Sequence, residues 1–268
     1  MPTLESVNTD ALVTMLKGEP GTRKSTCALS WPTPQYWFSY DKKMEALILP
    51  MRNWGIKAAD VHYDDYTDWA KAEAKMKQLQ LTCNYKTIVV DSITSMGDGI
   101  NQQTKGTKRD EGQGKKIAGI AVNSIEDFNA EASAFMDALK MLKDISKYHK
   151  VNVILIAHVV GQRKDDPNNK STHHSRIIIT GGDKISGKIS SYMTEVYHFN
   201  VESSFSADTG EGKFTLYTHH TGNDYARTSL PLERKITFND EPLYPNYIKK
   251  AIDKLNISPS KPLNSFVK

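Results

Sequence analysis

The chain has 268 residues, 38% hydrophobic and 25% charged, with a net charge of +4. That is an ordinary composition for a soluble globular protein, long enough for one large α/β domain or a domain with a small appendage. No apolar run reaches the roughly 18 residues that a membrane span needs, the N-terminal stretch lacks the basic-then-apolar order of a secretory signal, and Cys27 and Cys83 are too few for a disulfide framework and fit a reducing cytosol. The mild positive charge permits a polyanionic partner without requiring one.

Apolar runs alternate with helical patterns, which predicts parallel strands joined by crossover helices. Residues 11–17 form a first buried strand, which runs into the stretch Gly18-Glu19-Pro20-Gly21-Thr22-Arg23-Lys24-Ser25-Thr26. A helix begins near Lys24 and stops at Trp31-Pro32. Residues 35–41 make a second strand, and 67–81 a polar helix capped by Thr67 or Asp68. The β-branched run 86–92 suits a fully buried strand ending in an acid. Residues 97–122, rich in glycine, lysine and glutamine and without period, are expected to be a long mobile loop. Ser124 to Asp127 resembles a capping box. Ile125, Phe128, Ala132, Phe135, Leu139, Leu142 and Ile145 then recur at helical spacing, a helix of roughly six turns. Residues 151–158 form another buried strand with His158 at its tip. A second polar loop is expected over about 160–190, followed by an antiparallel pair at 194–201 and 213–219, a further strand at 234–238 and a short helix over 245–255. Residues 1–257 form one domain, and the tail 258–268, with two prolines and little to bury, is expected to be disordered.

Gly18 to Thr26 is close to the phosphate-loop pattern G-x-x-x-x-G-K-[ST], and it stands between a predicted strand and a predicted helix, the context that pattern needs. Backbone N–H groups of such a loop and the following helix N-terminus attract phosphates. Lys24 would reach the terminal phosphates and the Ser25 hydroxyl would bind Mg²⁺. Arg23 occupies the second glycine's place; left-handed backbone there would cost on the order of 1 kcal/mol, and helix-like backbone nothing. Its cation would also lie near the phosphates. Asp91, closing an apolar strand, is placed to hold the Mg²⁺ hydration shell, with Ser92 beside it. Asp41 is a candidate to orient and activate the attacking water, with Glu45 as competitor. His158 is a candidate sensor of the terminal phosphate. The pairs His173-His174 and His219-His220 do not favour chelation, because adjacent residues of a strand face opposite ways. Met136, Met141 and Met193 suit packing.

Taken together, GEPGTRKS, VVDSITSM and VILIAHV, followed by a glycine-lysine loop, resemble the RecA-like ATPase core. Within it the chain is most similar to phage-encoded single-strand-annealing or recombinase ATPases and to the wider phage AAA-domain nucleotide-binding proteins, through ITGGDKISGKISSYMTEVYHF and YARTSLPLE, over roughly residues 10–235. The resemblance implies a RecA-like P-loop core of mostly parallel sheet with an antiparallel C-terminal extension, ATP and Mg²⁺ as ligands, and assembly into a ring or filament with nucleotide between subunits. It implies that two loops after the Asp91 and His158 strands face a central axis and hold single-stranded DNA, in recombination or annealing in an infected bacterial cytoplasm. Those loops carry Lys105, Lys108, Arg109, Lys115 and Lys116, then Arg163, Lys164, Lys170, Arg176, Lys184 and Lys188, a charge pattern that binds phosphates with little sequence reading. Tyr192 is the nearest base-stacking candidate. Arg227 matches the family segment that would supply a cation to a neighbouring subunit's γ-phosphate, with Lys184 and Lys188 as rivals. Two other readings use the same residues: a helicase or packaging motor, and a nucleotide-dependent DNA-binding scaffold in which Arg23 has ended hydrolysis. The tail could meet a single-strand-binding protein.

Overall fold

The computed structural model describes residues 11–110, 116–117, 120–121, 125–165, 172–178, 188–201 and 213–257. Strand β1 (Val13–Gly18) leads through a short loop into helix α1 (Lys24–Leu29). There follow β2 (Gln35–Ser39), α2 (Ile48–Asn53), β3 (Val61–Asp65), α3 (Trp69–Leu81), β4 (Thr87–Asp91) and α4 (Ile93–Asp110). Next come the two-residue strands β5 (Lys116–Ile117) and β6 (Ile120–Ala121), then α5 (Ile125–His149), β7 (Asn152–Asp165) and β8 (Thr172–Ile178). The chain closes with β9 (Glu195–Val201), β10 (Phe214–Tyr217), β11 (Lys235–Phe238), a π-helical turn at Tyr244–Ile248 and α6 (Lys249–Ile257).

The main sheet has the order β11-β10-β9-β1-β7-β4-β2-β3, with β8 paired to the far end of β7. Strands from β9 to β3 run parallel, while β10, β11 and β8 pair antiparallel. This is the mostly parallel P-loop core with an antiparallel extension that the sequence predicts. The central strands read as continuous apolar runs because both faces are covered. Val13 and Met15, Ile88 and Val90, and Val153 and Leu155 enter the core that packs α3, α4 and α5. Leu16, Val89, Ile154 and Ile156 enter the opposite core, with Cys27, Ala28 and Leu29 of α1 and Ile248, Ala251 and Ile252 of the C-terminal turn and helix. Met136, Met141 and Met193 pack in the first core, as expected.

Several expectations change. Residues 97–110 are not loop but the body of α4. Met96 and Ile100 are fully buried and anchor it. Gly97 and Gly99, poor helix formers, disguise it; a Cβ at either would make only ordinary contacts, 3.5 Å from Glu131 Oε1 and 3.5 Å from the Thr67 carbonyl. Asn101 donates to Glu131 at 2.6 Å across the same α4–α5 contact. Within the second expected loop, the described residues 160–165 and 172–178 pair as antiparallel strands, because β7 continues past His158 to Asp165 and β8 returns along it. Asp68, not Thr67, caps α3, accepting from the Ala70 N–H at 2.9 Å. The helix expected over 245–255 begins as the π-helical turn and ends at Ile257. Ser124, the 202–212 turn and the 258–268 tail lie outside the described residues. Among the described residues no helix is long and apolar enough to cross a membrane.

Candidate functional site

Parallel register brings the expected site residues to one edge of the sheet. Gly18 lies level with His158 across the β1–β7 pair, and Asp91 lies level with Ile156 and with Ser39. The C-terminal ends of β1, β4 and β2 therefore converge beside His158 in the middle of β7, on the side where open α/β sheets bind ligands. The loop after β1 is tightly built. A Cβ on Gly18 would stand 2.5 Å from the Phe199 carbonyl oxygen. Gly21 takes φ 80, and the Thr22 hydroxyl donates to the Glu19 carbonyl at 2.8 Å. Glu19 and Pro20 stand exposed at the turn, while Ser25 and Thr26 are half-buried in the first turn of α1.

Lys24 is 5% exposed, and its Nζ donates to the carbonyls of Gly18 at 3.0 Å and Glu19 at 2.7 Å and to Thr22 Oγ1 at 3.2 Å. Burial pulls its pKa down to about 8, against the opposing pull of Asp91, Asp41 and Glu19. Asp91 receives a hydrogen bond from the Ser25 hydroxyl, yet burial, helped by the Asp41 charge, pushes its pKa up to about 6. A buried carboxylate held out of water beside a serine hydroxyl is a donor pair suited to Mg²⁺, whose charge would relieve the same desolvation.

The Asp91 shift fixes a sign. Its folded pKa lies above 3.8, so Asp91 weakens the nucleotide-free fold at neutral pH, and stability returns as pH falls through about 6. Asp91→Asn is expected to stabilise the nucleotide-free protein at pH 8 by on the order of 1 kcal/mol. It should also flatten the rise in melting temperature between pH 8 and 5. Equal pH dependence in wild type and variant would contradict the assignment.

Asp41 sits just beyond β2, where its backbone N–H and that of Tyr40 donate to the Asp91 carbonyl. Asp41 Oδ1 accepts from Ser92 Oγ at 3.0 Å and Ser95 Oγ at 2.5 Å, and Oδ2 lies 3.2 Å from His158 Nε2. Burial would raise its pKa, but the hydrogen bonds from His158, Ser95 and Ser92 outweigh that and hold it far below the usual carboxylate range. A carboxylate held ionised takes up a proton poorly; this geometry favours orienting over proton abstraction. Ser95 and the pairing of Asp41 with His158 were not legible from sequence. Glu45, the competitor, is exposed on the turn Met44–Leu47.

Arg23 resolves the ambiguity at its position. It takes φ 64 and ψ 22, the left-handed conformation of the glycine it replaces. Its guanidinium is engaged at the antiparallel extension: it lies 4.2 Å over the Phe214 ring, donates to the Asn239 carbonyl at 2.8 Å and pairs with Asp240.

Arg227 is exposed and pairs with Val196, which lies level with Met15, short of the phosphate loop. Its guanidinium donates to the Met193 carbonyl. The segment carrying it is anchored on buried Glu195, which accepts from Thr228 Oγ1 at 2.5 Å and from the Ser229 N–H and hydroxyl at 2.9 and 2.5 Å. Of the basic residues, Lys105, Lys108 and Arg109 fall on the backbone of α4, Lys116 on β5, Arg163 and Lys164 on β7, and Arg176 on β8. Lys188 is exposed, and Lys115, Lys170 and Lys184 lie outside the described residues. Tyr192 is half-buried and packs against the core. His219 Nδ1 is 2.8 Å from Thr218 Oγ1 and His220 Nδ1 accepts the Gly222 N–H at 2.8 Å; neither joins the other.

No curated protein matches the chain. A family model described as AAA domain matches residues 10–230, the whole span from β1 to the Arg227 segment. The chain belongs to this AAA-domain family of P-loop ATPases.

Proposed function

We propose that the chain binds and hydrolyses ATP with Mg²⁺ at sites between subunits of a ring or filament, and that nucleotide controls its grip on single-stranded DNA during phage recombination or strand annealing in the cytoplasm of the infected host. The observation that carries the nucleotide part is the convergence of Lys24, Ser25, Asp91 and Asp41, just at or beyond the ends of β1, β4 and β2, with His158 of the adjacent β7. In this reading Lys24 exchanges the carbonyls of Gly18 and Glu19 for phosphate oxygens. Ser25 and Asp91 hold Mg²⁺, which supplies neutralisation of the phosphate charge. Asp41, braced by Ser92 and Ser95, orients His158 and the attacking water. Arg227 of a neighbouring subunit completes the charge at the γ-phosphate, with Lys184 and Lys188 as rivals for that role.

Support for the DNA part is the continuity of backbone between the two halves. Asp91 is followed, after Ser92, by α4, which carries Lys105, Lys108 and Arg109, and His158 lies on the same strand as Arg163 and Lys164, with Arg176 on the paired strand β8 level with Gly161. The sequence adds Lys115, Lys116 and Lys188 to this positive charge. The test is fluorescence anisotropy of a labelled single-stranded oligonucleotide at low and moderate salt, with and without Mg·ATP. Binding that tightens with nucleotide and weakens steeply with salt is expected. No binding at low salt in either state would remove the DNA half of the proposal.

A further inference from the structure

Arg23 poses a physical problem. A residue with a Cβ held in left-handed backbone persists only where its surroundings over-determine it. Here those surroundings are the C-terminal extension: Phe214 on β10 and the short segment that follows β11. At the start of α1, Arg23 stacks on Phe214, donates to the Asn239 carbonyl and pairs with Asp240. At its end, Ser30 Oγ accepts the Tyr244 N–H at 2.9 Å, and Trp31 meets the Tyr244 ring at 5.4 Å between centroids. The segment is itself braced: the Asn239 N–H donates to Glu241 at 2.9 Å, and Trp54 Nε1 donates to the Asp240 carbonyl at 2.8 Å. The helix that follows the phosphate loop is thus clasped at both ends by residues 239–244.

We propose that Arg23 is a positioning residue for the phosphate loop, acting through the strap of residues 239–244, so that the C-terminal extension sets nucleotide affinity from outside the site. This deepens the nucleotide-binding reading and rests on it. Arg23 does not touch phosphate in this arrangement; its planar guanidinium replaces the conformational freedom of a glycine with an external brace, a combination of stacking and charge-assisted hydrogen bonding that lysine would not reproduce. Asp240 has an exposed side chain (82%), so its removal is not expected to unfold the protein.

The experiment compares wild type, Asp240→Ala, Arg23→Gly and the double variant in two readouts. The first is hydrogen exchange of the amides of residues 18–26 without nucleotide; the second is the dissociation constant for Mg·ATP. Asp240→Ala is expected to speed exchange in the loop and to weaken Mg·ATP binding roughly threefold to tenfold. Adding it to Arg23→Gly should have no further effect, because the two act as one unit. Unchanged loop exchange in Asp240→Ala would overturn the proposal. So would tighter Mg·ATP binding, which would mean that Arg23, once released, serves the phosphates directly. If wild type itself bound no nucleotide, the proposed function would fail while loop exchange still decided the strap.

Discussion

Replacing Gly18 with alanine is expected to abolish useful nucleotide binding and to destabilise the fold together. The added Cβ would meet the Phe199 carbonyl at 2.5 Å, Thr22 Oγ1 at 3.0 Å and Phe199 Cβ at 3.1 Å. Gly18 is registered to Phe199 on one side and to His158 on the other, and both partners belong to central strands. Backbone cannot yield there as the tip of a flexible side chain could. The loop must move instead, and with it the carbonyl that anchors Lys24 at 3.0 Å. Overpacking of this kind costs about 1–3 kcal/mol. Thermal unfolding and Mg·ATP titration check it; a Gly18→Ala protein that binds like wild type would contradict the reading of the loop.

The second large effect concerns turnover. Asp41→Asn keeps the shape of the side chain but replaces one acceptor oxygen with a donor. Ser92 and Ser95 both donate to Oδ1, and His158 Nε2 approaches Oδ2. If asparagine keeps its oxygen toward the serines, its amide faces His158, and that ring loses its carboxylate. Turnover is expected to fall on the order of a hundredfold or more, with Mg·ATP affinity within about threefold of wild type. Stability should also fall. The folded pKa of Asp41 lies below 3.8, so its contribution is present above that value and is lost as pH falls further. Asp41→Asn should therefore show less loss of stability on acidification below about pH 4 than wild type does. Equal turnover in the two proteins would remove Asp41 from the site.

The difference between Asp41 and Asp91 follows from their neighbours. Both are acids at strand ends, yet three donors hold Asp41 ionised, while Asp91 is dominated by burial and by the Asp41 charge. The pair is thus polarised into one fixed anion and one carboxylate that gains from a cation. Sequence places both acids but not this division, since Ser95 and His158 reach Asp41 only through the strand order β7-β4-β2.

The same contrast runs through the fold. Buried parallel strands were legible because a strand covered on both faces must be apolar throughout, as in Ile88, Val89 and Val90. Strand β3 was not: Val61 is followed by His62, Tyr63, Asp64 and Asp65, all exposed at the edge of the sheet, and nothing in them alternates. Helix α4 was hidden by Gly97 and Gly99, poor helix formers whose cost is outweighed by burial of Met96 and Ile100. Arg23 was ambiguous because its backbone depends on Phe214, Asn239 and Asp240, far away in the chain. Local pattern carries local structure; contacts made by strand order and by the C-terminal strap lie beyond it.

This phosphate loop, with arginine in place of its second glycine, is expected to support ATP turnover. Steady-state ATP hydrolysis by the purified protein in the presence of Mg²⁺ tests it most directly. Turnover that Lys24→Ala eliminates is the expected result. Tight Mg·ATP binding with no turnover, alone or with single-stranded DNA, would contradict it and leave a nucleotide-dependent scaffold.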